Sequence, residues 1–275
     1  MKGFSRKRAW IIARNDLEQL RSSRDFWLPL GIIAALFFVV MPACLFLSLA
    51  TVKDVGVIGK IGDLMGSMPH SIQAETAGRS ANVQASYALA VYLLAPLAII
   101  VPLTVSSAVG SQTIIGERER GSGEFLAHSP ASEREIFMGK LIASLLPGYF
   151  TAFVGFLLYS LLVNLIVGPQ VGGWFFPTAN WWILVLWVVP PFLALVVGVI
   201  LRISSRVTSA AAAQQASALV TLPLVILAYA LSTSSLSRAR TFGGFLGLAA
   251  WVGAFFVLSS GARALRRERL LGLGN

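Results

Sequence analysis

Long apolar runs separated by polar segments make up about half of the chain. Each run has about 20 residues or more, the length of a helix that crosses the hydrocarbon core of a bilayer. A helix satisfies its backbone hydrogen bonds internally, so it is the expected structure of such runs in lipid. The pattern predicts an all-α membrane protein with six transmembrane helices, at about 26–50, 87–111, 139–167, 181–201, 212–231 and 242–261.

The polar segments divide the chain into one transmembrane domain with two basic ends. The stretch before the first run contains Asp16, Glu18 and Asp25, and the run exceeds the ~7–15 apolar residues of a signal-peptide core. We therefore expect the first run to be retained as a membrane helix. The predicted organisation is an N-terminal amphipathic interfacial segment 1–25, a six-helix domain 26–265 and a basic cytoplasmic tail 266–275.

The N-terminal segment has the pattern of an amphipathic helix. The apolar positions that recur at helical spacing are Trp10, Ala13, Leu17 and Leu20. Asp16 and the neighbouring charged residues fall on other faces. Such a helix lies in the membrane interface, with its tryptophan among the lipid headgroups. Contact with a cytoplasmic partner is an alternative use of the same helix.

Composition and charge agree with a membrane protein. Of the 275 residues, 56% are hydrophobic and 12% are charged, whereas roughly 25% are charged in an ordinary soluble domain. The net charge of +10 indicates basic loops on the cytoplasmic side of a membrane rather than binding of nucleic acid. If both termini are cytoplasmic, 17 of the 22 Lys and Arg residues lie inside, and the outer side carries Lys53, Lys60, Arg79, Arg238 and Arg240. This asymmetry favours cytoplasmic termini and an even number of spans.

Two predicted outer loops carry apolar residues. In the loop 51–86, a short helix resting on the outer leaflet is expected; a lid over a substrate exit or a docking site for an external partner is the alternative. The loop 168–180 has no charge and leads from Trp174, Phe175 and Phe176 into Trp181 and Trp182. These residues are typical of an interfacial aromatic belt.

Six prolines lie within the predicted runs. A proline lacks the backbone N–H and should kink or break a helix. The prolines are Pro96, Pro102, Pro147, Pro190, Pro191 and Pro223.

The cytoplasmic segment 112–140 concentrates charge and has defined ends. Five of the 12 acidic residues lie here. Ser132 and Glu135 have the spacing of a capping box just before an apolar run, so we expect the third membrane helix to begin near Glu133. The second helix is expected to extend past the bilayer to about Arg120.

Between these ends lies a short piece held under the membrane. Gly121 and Gly123 break the second helix, and charges of alternating sign flank Phe125 and Leu126. A solvated charge run is one interpretation. A docking surface for another protein is the other, because the piece occupies a defined turn between two spanning helices.

The same segment resembles the cytoplasmic signature of ABC-2 type transporter permeases. That signature has an acidic-basic-acidic triplet, a Gly, a small residue, a Glu, two apolar residues, a Pro-small-Ser turn and a Gly-Lys pair that opens the next helix. Ser122 stands where threonine is commoner, and Gly123 stands where an apolar residue is usual. The matching residues are Glu117, Arg118, Glu119, Gly121, Ser122, Glu124, Phe125, Leu126, Pro130, Ala131, Ser132, Gly139 and Lys140.

The resemblance implies a permease subunit of an ATP-driven transporter, an exporter in most relatives, in the plasma or inner membrane of a bacterium. Its partners would be an ABC ATPase in two copies, a second permease, identical or paralogous, and membrane lipids. ATP and Mg would be bound by the ATPase, and this chain contains no Gly-x-x-x-x-Gly-Lys-Ser/Thr phosphate loop. The implied coupling helix contacts the ATPase through Glu117, Arg118, Glu119, Arg120, Gly121, Glu124, Phe125 and Leu126.

Other chemistry is sparse in the sequence. A single cysteine, Cys44, and two histidines, His70 and His128, give no expectation of a catalytic, metal or cofactor site in this chain. The apolar runs, the third counted from Leu141, contain no Asp, Glu, Lys, Arg or His, which disfavours an ion-coupled secondary carrier. A membrane scaffold that anchors partner proteins without moving a solute remains a second hypothesis. Polar candidates for the lining of a translocation path are Gln112, Asn164, Gln214 and Gln215.

Overall fold

The described part of the chain consists of helices joined by turns. The computed structural model describes residues 4–51, 76–119, 128–204 and 239–261 and the single positions 212, 215 and 219, and no strand occurs among them. The helices are α1 (Arg6–Ser22), α2 (Arg24–Ala35), α3 (Met41–Thr51), α4 (Ala81–Ala88), α5 (Leu97–Glu119), α6 (Glu133–Ile166), α7 (Gly168–Val171), α8 (Ala179–Ile183), α9 (Val189–Ser204) and α10 (Ala239–Gly261).

Four helical segments are long and apolar enough to cross a membrane. They confirm the all-α membrane class and agree with the predicted spans 26–50, 87–111, 139–167 and 181–201. The observed segments are Trp27–Thr51, Ala81–Thr113, Glu133–Ile166 and Ala179–Ile203.

The last two predicted spans are not among the four segments that are long enough to cross a membrane. The prediction 242–261 falls within α10, whose apolar stretch Gly247–Ser259 is shorter than the other four. The prediction 212–231 lies outside the described residues apart from three single positions. Most of the loop 51–86, with its expected short helix, also lies outside them. Six spans therefore stay a prediction.

Prolines shape several spans through π-helical turns. A proline removes a hydrogen-bond donor, and its ring clashes with the carbonyl four residues earlier; a wider turn just before it relieves both problems. The π turns and the prolines that follow them are Leu36–Val40 with Pro42, Leu89–Leu93 with Pro96, and Leu184–Val188 with Pro190. Pro102 and Pro147, which were also expected to kink or break helices, lie inside α5 and α6 without interrupting them.

α5 and α6 pack closely because small residues face each other. An added Cβ at Gly148 would overlap Ser106 Oγ and would lie 2.7 Å from the carbonyl oxygen of Pro102. One at Gly110 would lie 3.7 Å from Ser144 Oγ. Small residues at such crossings let helix backbones approach where no hydrophobic force drives association in lipid.

The predicted aromatic belt is only partly a belt. Trp174 is exposed, but Phe176 and Trp181 are buried in the core. Their ring centroids lie 4.9 Å apart, and the Trp181 ring stacks on Tyr159 at 5.4 Å. The prediction was wrong for these two residues because neighbouring helices, which the local sequence does not reveal, cover them.

Gly148 gives a direct test of the α5–α6 contact. We expect Gly148→Ala to lower the free energy of unfolding by about 1–3 kcal/mol, because the new methyl group overpacks the contact with α5. Thermal unfolding of the purified protein measures the effect. The matched control is Gly31→Ala in α2, where an added Cβ meets nothing within 4 Å. Equal effects of the two substitutions would argue against the close α5–α6 contact.

Candidate functional site

Three helices meet at one end of the bundle, which we call the basal end: α1, the C-terminal end of α5 and the N-terminal end of α6. α6 has 34 residues, a length of about 51 Å at 1.5 Å per residue, whereas the hydrocarbon core is about 30 Å thick. Its first turn carries Glu133, Arg134 and Glu135, which places this end of the helix beyond the hydrocarbon. The segment 120–127, which joins α5 to α6, starts and ends here and lies outside the described residues.

A capping box starts α6, as the sequence predicted. Ser132 Oγ accepts a hydrogen bond from the Glu135 backbone N–H at 3.3 Å, and Glu135 Oε2 accepts one from the Ser132 N–H at 2.7 Å. These bonds satisfy two backbone donors that would otherwise have no partner at the helix start. The third membrane helix therefore begins at Glu133.

Glu135 also holds the start of α1. Its Oε1 accepts a hydrogen bond from the Ser5 backbone N–H at 2.6 Å, and Arg8 Nη1 lies 3.5 Å from its Oε2. Arg8 Nη1 also donates to the Pro130 carbonyl at 3.0 Å. The Ser132 N–H holds the pKa of Glu135 below its usual value; burial opposes this shift, and Ser5 and Arg8 add to it. The carboxylate thus stays ionised and joins α1 to the start of α6.

Gly139 lets α1 lie directly on α6. An added Cβ at this position would lie 2.8 Å from the Cβ of Ile12 and 2.9 Å from the carbonyl oxygen of Ala9. The second of these atoms belongs to the backbone and cannot move aside without shifting α1. Glycine is therefore required here by the approach of one helix to another.

Lys140 of α6 is fully buried and contacts the other two helices of the basal end. Its Nζ donates to the Thr113 carbonyl of α5 at 2.7 Å and lies 3.6 Å from Asp16 Oδ2 of α1. Asp16 is also buried. A buried lysine is tolerated only with an opposite charge and hydrogen-bond acceptors nearby. We call Lys140, Asp16 and Thr113 the basal junction.

The basal junction corrects the predicted orientation of α1. Asp16 was expected on a polar face away from Ala13, but Ala9, Ala13 and Asp16 together form the face buried against the protein. Trp10, expected on the same face as Ala13, is 52% exposed. The local pattern was misleading because the charge of Asp16 is compensated by Lys140, which is distant in sequence. One clue was present: Ala9, Ala13 and Asp16 recur at helical spacing.

The family of the chain follows from a comparison with known protein families. The sequence model of the family described as "ABC-2 family transporter protein" matches residues 10–274. The chain belongs to the ABC-2 transporter family. A comparison with curated proteins gave no significant match. ABC-2 permeases are the transmembrane component of ABC transporters and work with a separate ABC ATPase.

The residues that the ABC-2 resemblance assigns to ATPase contact lie next to the basal junction in sequence. Glu117, Arg118 and Glu119 end α5, and their side chains are not among those described. The remaining residues lie outside the described part: Arg120, Gly121, Glu124, Phe125 and Leu126. Their role stays a prediction.

The candidate path residues of this ABC-2 permease lie in different places. Gln112 on α5 and Gln215 are exposed, and Gln214 lies outside the described residues. Asn164 is buried at the end of the bundle opposite to α1. The role of all four in a translocation path stays a prediction.

Asn164 closes the loop between α7 and α8. Its Oδ1 accepts hydrogen bonds from the N–H groups of Phe175 and Phe176, both at 3.1 Å. Its Nδ2 donates to the carbonyls of Ser160 and Phe176. The amide group is therefore used in positioning this loop.

Metal-ligand chemistry is not evident in the described part of the chain. Among those residues, no group of three His, Cys, Asp or Glu side chains could hold a metal ion. The one cysteine, Cys44, is exposed.

Breaking the basal junction should be costly. We expect Lys140→Met to lower the free energy of unfolding by about 3–5 kcal/mol, because it leaves the Asp16 carboxylate buried without the lysine. The double variant Asp16→Asn/Lys140→Met should be less destabilised than the sum of the two single variants. Thermal unfolding in detergent or nanodiscs measures this coupling.

The control is an exposed ion pair in the same helix. Arg14 and Glu18 lie 2.7 Å apart, with side chains 70% and 61% exposed. Arg14→Met and Glu18→Gln should couple by only about 0.3–0.5 kcal/mol. A coupling energy between the Asp16 and Lys140 substitutions as small as that of the control pair would show that the junction does not hold these helices together.

Proposed function

We propose that this chain is the permease subunit of an ABC-2 type exporter, coupled through residues 116–130 to a separate ATPase that binds ATP and Mg. The permease dimerises with an identical or paralogous permease, and two ATPase copies dock beneath them. Both termini and the basal end face the cytoplasm of a bacterial cell, and the chain lies in the plasma or inner membrane.

The distribution of charge supports this orientation. The basal end carries the basic N-terminal helix and the charged segment 112–140, whereas the opposite end of the described helices carries the uncharged loop 168–180. Basic residues accumulate on the cytoplasmic side of membrane proteins. The basal end is therefore the end that a cytoplasmic ATPase can reach.

The basal junction is the observation that carries the proposal. Thr113 lies three residues before the segment 116–130, and Lys140 lies ten residues after it. Because Lys140 links the Thr113 carbonyl to Asp16, a displacement of the segment would move α1, α5 and α6 together. A closing ATPase pair could in this way deliver its motion to two spanning helices at once.

Charge pairs and an apolar anchor would set the choice of ATPase. Glu117, Arg118, Glu119, Arg120 and Glu124 supply charges of both signs, and complementary charges determine partner selection more than they determine affinity. Phe125 and Leu126 supply apolar surface. The glycines at 121 and 123, which are expected from the sequence to break the second helix, would separate the charged part from the apolar part.

Two alternatives differ in what they predict for transport. A membrane scaffold would bind partners, but no solute would cross reconstituted vesicles when ATP is hydrolysed. A secondary carrier would transport along an ion gradient without any ATPase. The buried Lys140 and Asp16 lie at the basal end and pair with each other. The predicted spans contain no other Asp, Glu, Lys, Arg or His for a coupling ion, which favours the ATP-driven mechanism.

Charge reversal tests the docking segment. We expect Glu117→Lys/Glu124→Lys to reduce co-purification with the candidate ATPase at least about tenfold, because like charges then face each other across the interface. ATP hydrolysis by the ATPase that is bound to the permease should fall in parallel. The measurements are pull-down of the ATPase and ATP turnover of the purified complex.

The matched control is Glu18→Lys, which reverses an exposed charge on α1 and should leave ATPase binding unchanged. If the double variant instead retains full co-purification and ATP turnover, residues 116–130 are not the docking site.

A further inference from the structure

The second span is broken between α4 and α5. α4 runs into the π turn Leu89–Leu93, and a turn at 94–96 precedes α5. The Leu94 N–H donates to the Leu89 carbonyl at 3.1 Å, and the Ala95 N–H donates to the Tyr92 carbonyl at 3.3 Å. In a continuous α-helix these two N–H groups would bind the carbonyls of residues 90 and 91. The break therefore withdraws the backbone donors from two carbonyls.

Two aromatic side chains from neighbouring spans replace those donors. The Tyr159 hydroxyl of α6 donates to the Ala90 carbonyl at 2.7 Å, and Trp181 Nε1 of α8 donates to the Val91 carbonyl at 2.9 Å. Both side chains are buried. Without water, an unpaired carbonyl at this depth would be costly. The broken form thus depends on one hydroxyl and one indole N–H.

The same carbonyls can be satisfied in a second way. If the span straightened, the N–H groups of Leu94 and Ala95 would donate to Ala90 and Val91, as in any α-helix. Pro96 has no N–H, so only the Tyr92 carbonyl would lose its backbone donor. The straight form would thus replace the two side-chain donors by backbone donors, at the cost of the Tyr92 carbonyl and of its contact with the Pro96 ring.

We propose that residues 94–96 are a hinge in the second span and that Tyr159 and Trp181 are positioning residues that hold its bent form. Its role in transport rests on the proposed function. About 17 residues separate the hinge from Thr113, a lever of about 26 Å. A rotation of α5 by about 10° would therefore move the basal junction by about 4 Å. The hinge lets α5 swing while α4 stays in place.

Distances across the hinge test the proposal. Spin labels at Ala81→Cys and Thr104→Cys, both exposed positions, are placed in a Cys44→Ser chain in nanodiscs of phosphatidylethanolamine and phosphatidylglycerol. A continuous helix would separate these positions by about 35 Å. Tyr159→Phe and Trp181→Phe each remove one donor from the bent form. We expect each to shift the ratio of bent to straight populations about fivefold toward the longer distance.

Matched controls remove the same chemical groups elsewhere. Tyr149→Phe on α6 and Trp182→Phe on α8 should leave the distance distribution unchanged. Distributions of Tyr159→Phe and Trp181→Phe identical to that of the unmodified chain would overturn the hinge. General broadening without a defined longer distance would also overturn it, because the two bonds would then only maintain local structure.

A second comparison separates the hinge from the proposed function. In the complex with the candidate ATPase, the label distance should change between the nucleotide-free and vanadate-trapped states. A complex that hydrolyses ATP with no change in this distance would overturn the hinge as a part of transport. Failure to assemble with an ATPase would contradict the proposed function, and the comparison of the permease variants alone would still decide the hinge.

Discussion

The buried ammonium group of Lys140 is the constraint on which the basal end depends. A lysine removed from water must meet an acceptor and an opposite charge, and here these come from Thr113 on α5 and Asp16 on α1. Placing Asp16 within reach requires α1 to lie against α6, which only a glycine at position 139 permits. Glu135 then fixes the start of α1 through Ser5 and Arg8. One buried charge thus explains why an amphipathic N-terminal helix packs onto the transmembrane bundle.

Motion at the basal end would reach the rest of the molecule through α5 and α6. Close packing around Gly148 joins these helices within the bundle, so they transmit displacement rather than absorb it. Farther from the basal end, the second span is interrupted at residues 94–96, and Tyr159 and Trp181 complete its hydrogen bonds. The second span thus combines a closely packed part near Gly148 with an interruption at residues 94–96. Membership of the ABC-2 family implies a separate ABC ATPase, which would be the energy source for such motion.

Features governed by local sequence could be predicted, and features governed by distant contacts could not. The four observed spans follow from runs of apolar residues, and the start of α6 follows from Ser132 and Glu135, three residues apart. Asp16 was assigned to the wrong face because its partner lies 124 positions away. Pro96 predicted an interruption of the second span, but the donors that satisfy the break lie on α6 and α8. Trp181 was assigned to the membrane interface because aromatic residues at a span end are usually found there.

In the proposed mechanism, α1 and the start of α6 move as one body when the ATPase acts. Spin labels at Asn15→Cys on α1 and Arg134→Cys on α6, both exposed, measure this in the complex with the ATPase. The proposed mechanism predicts the same distance in the nucleotide-free and vanadate-trapped states, and a second, broader population only when Lys140→Met is introduced. A change of several ångströms between the two states in the chain with Lys140 intact would contradict the account.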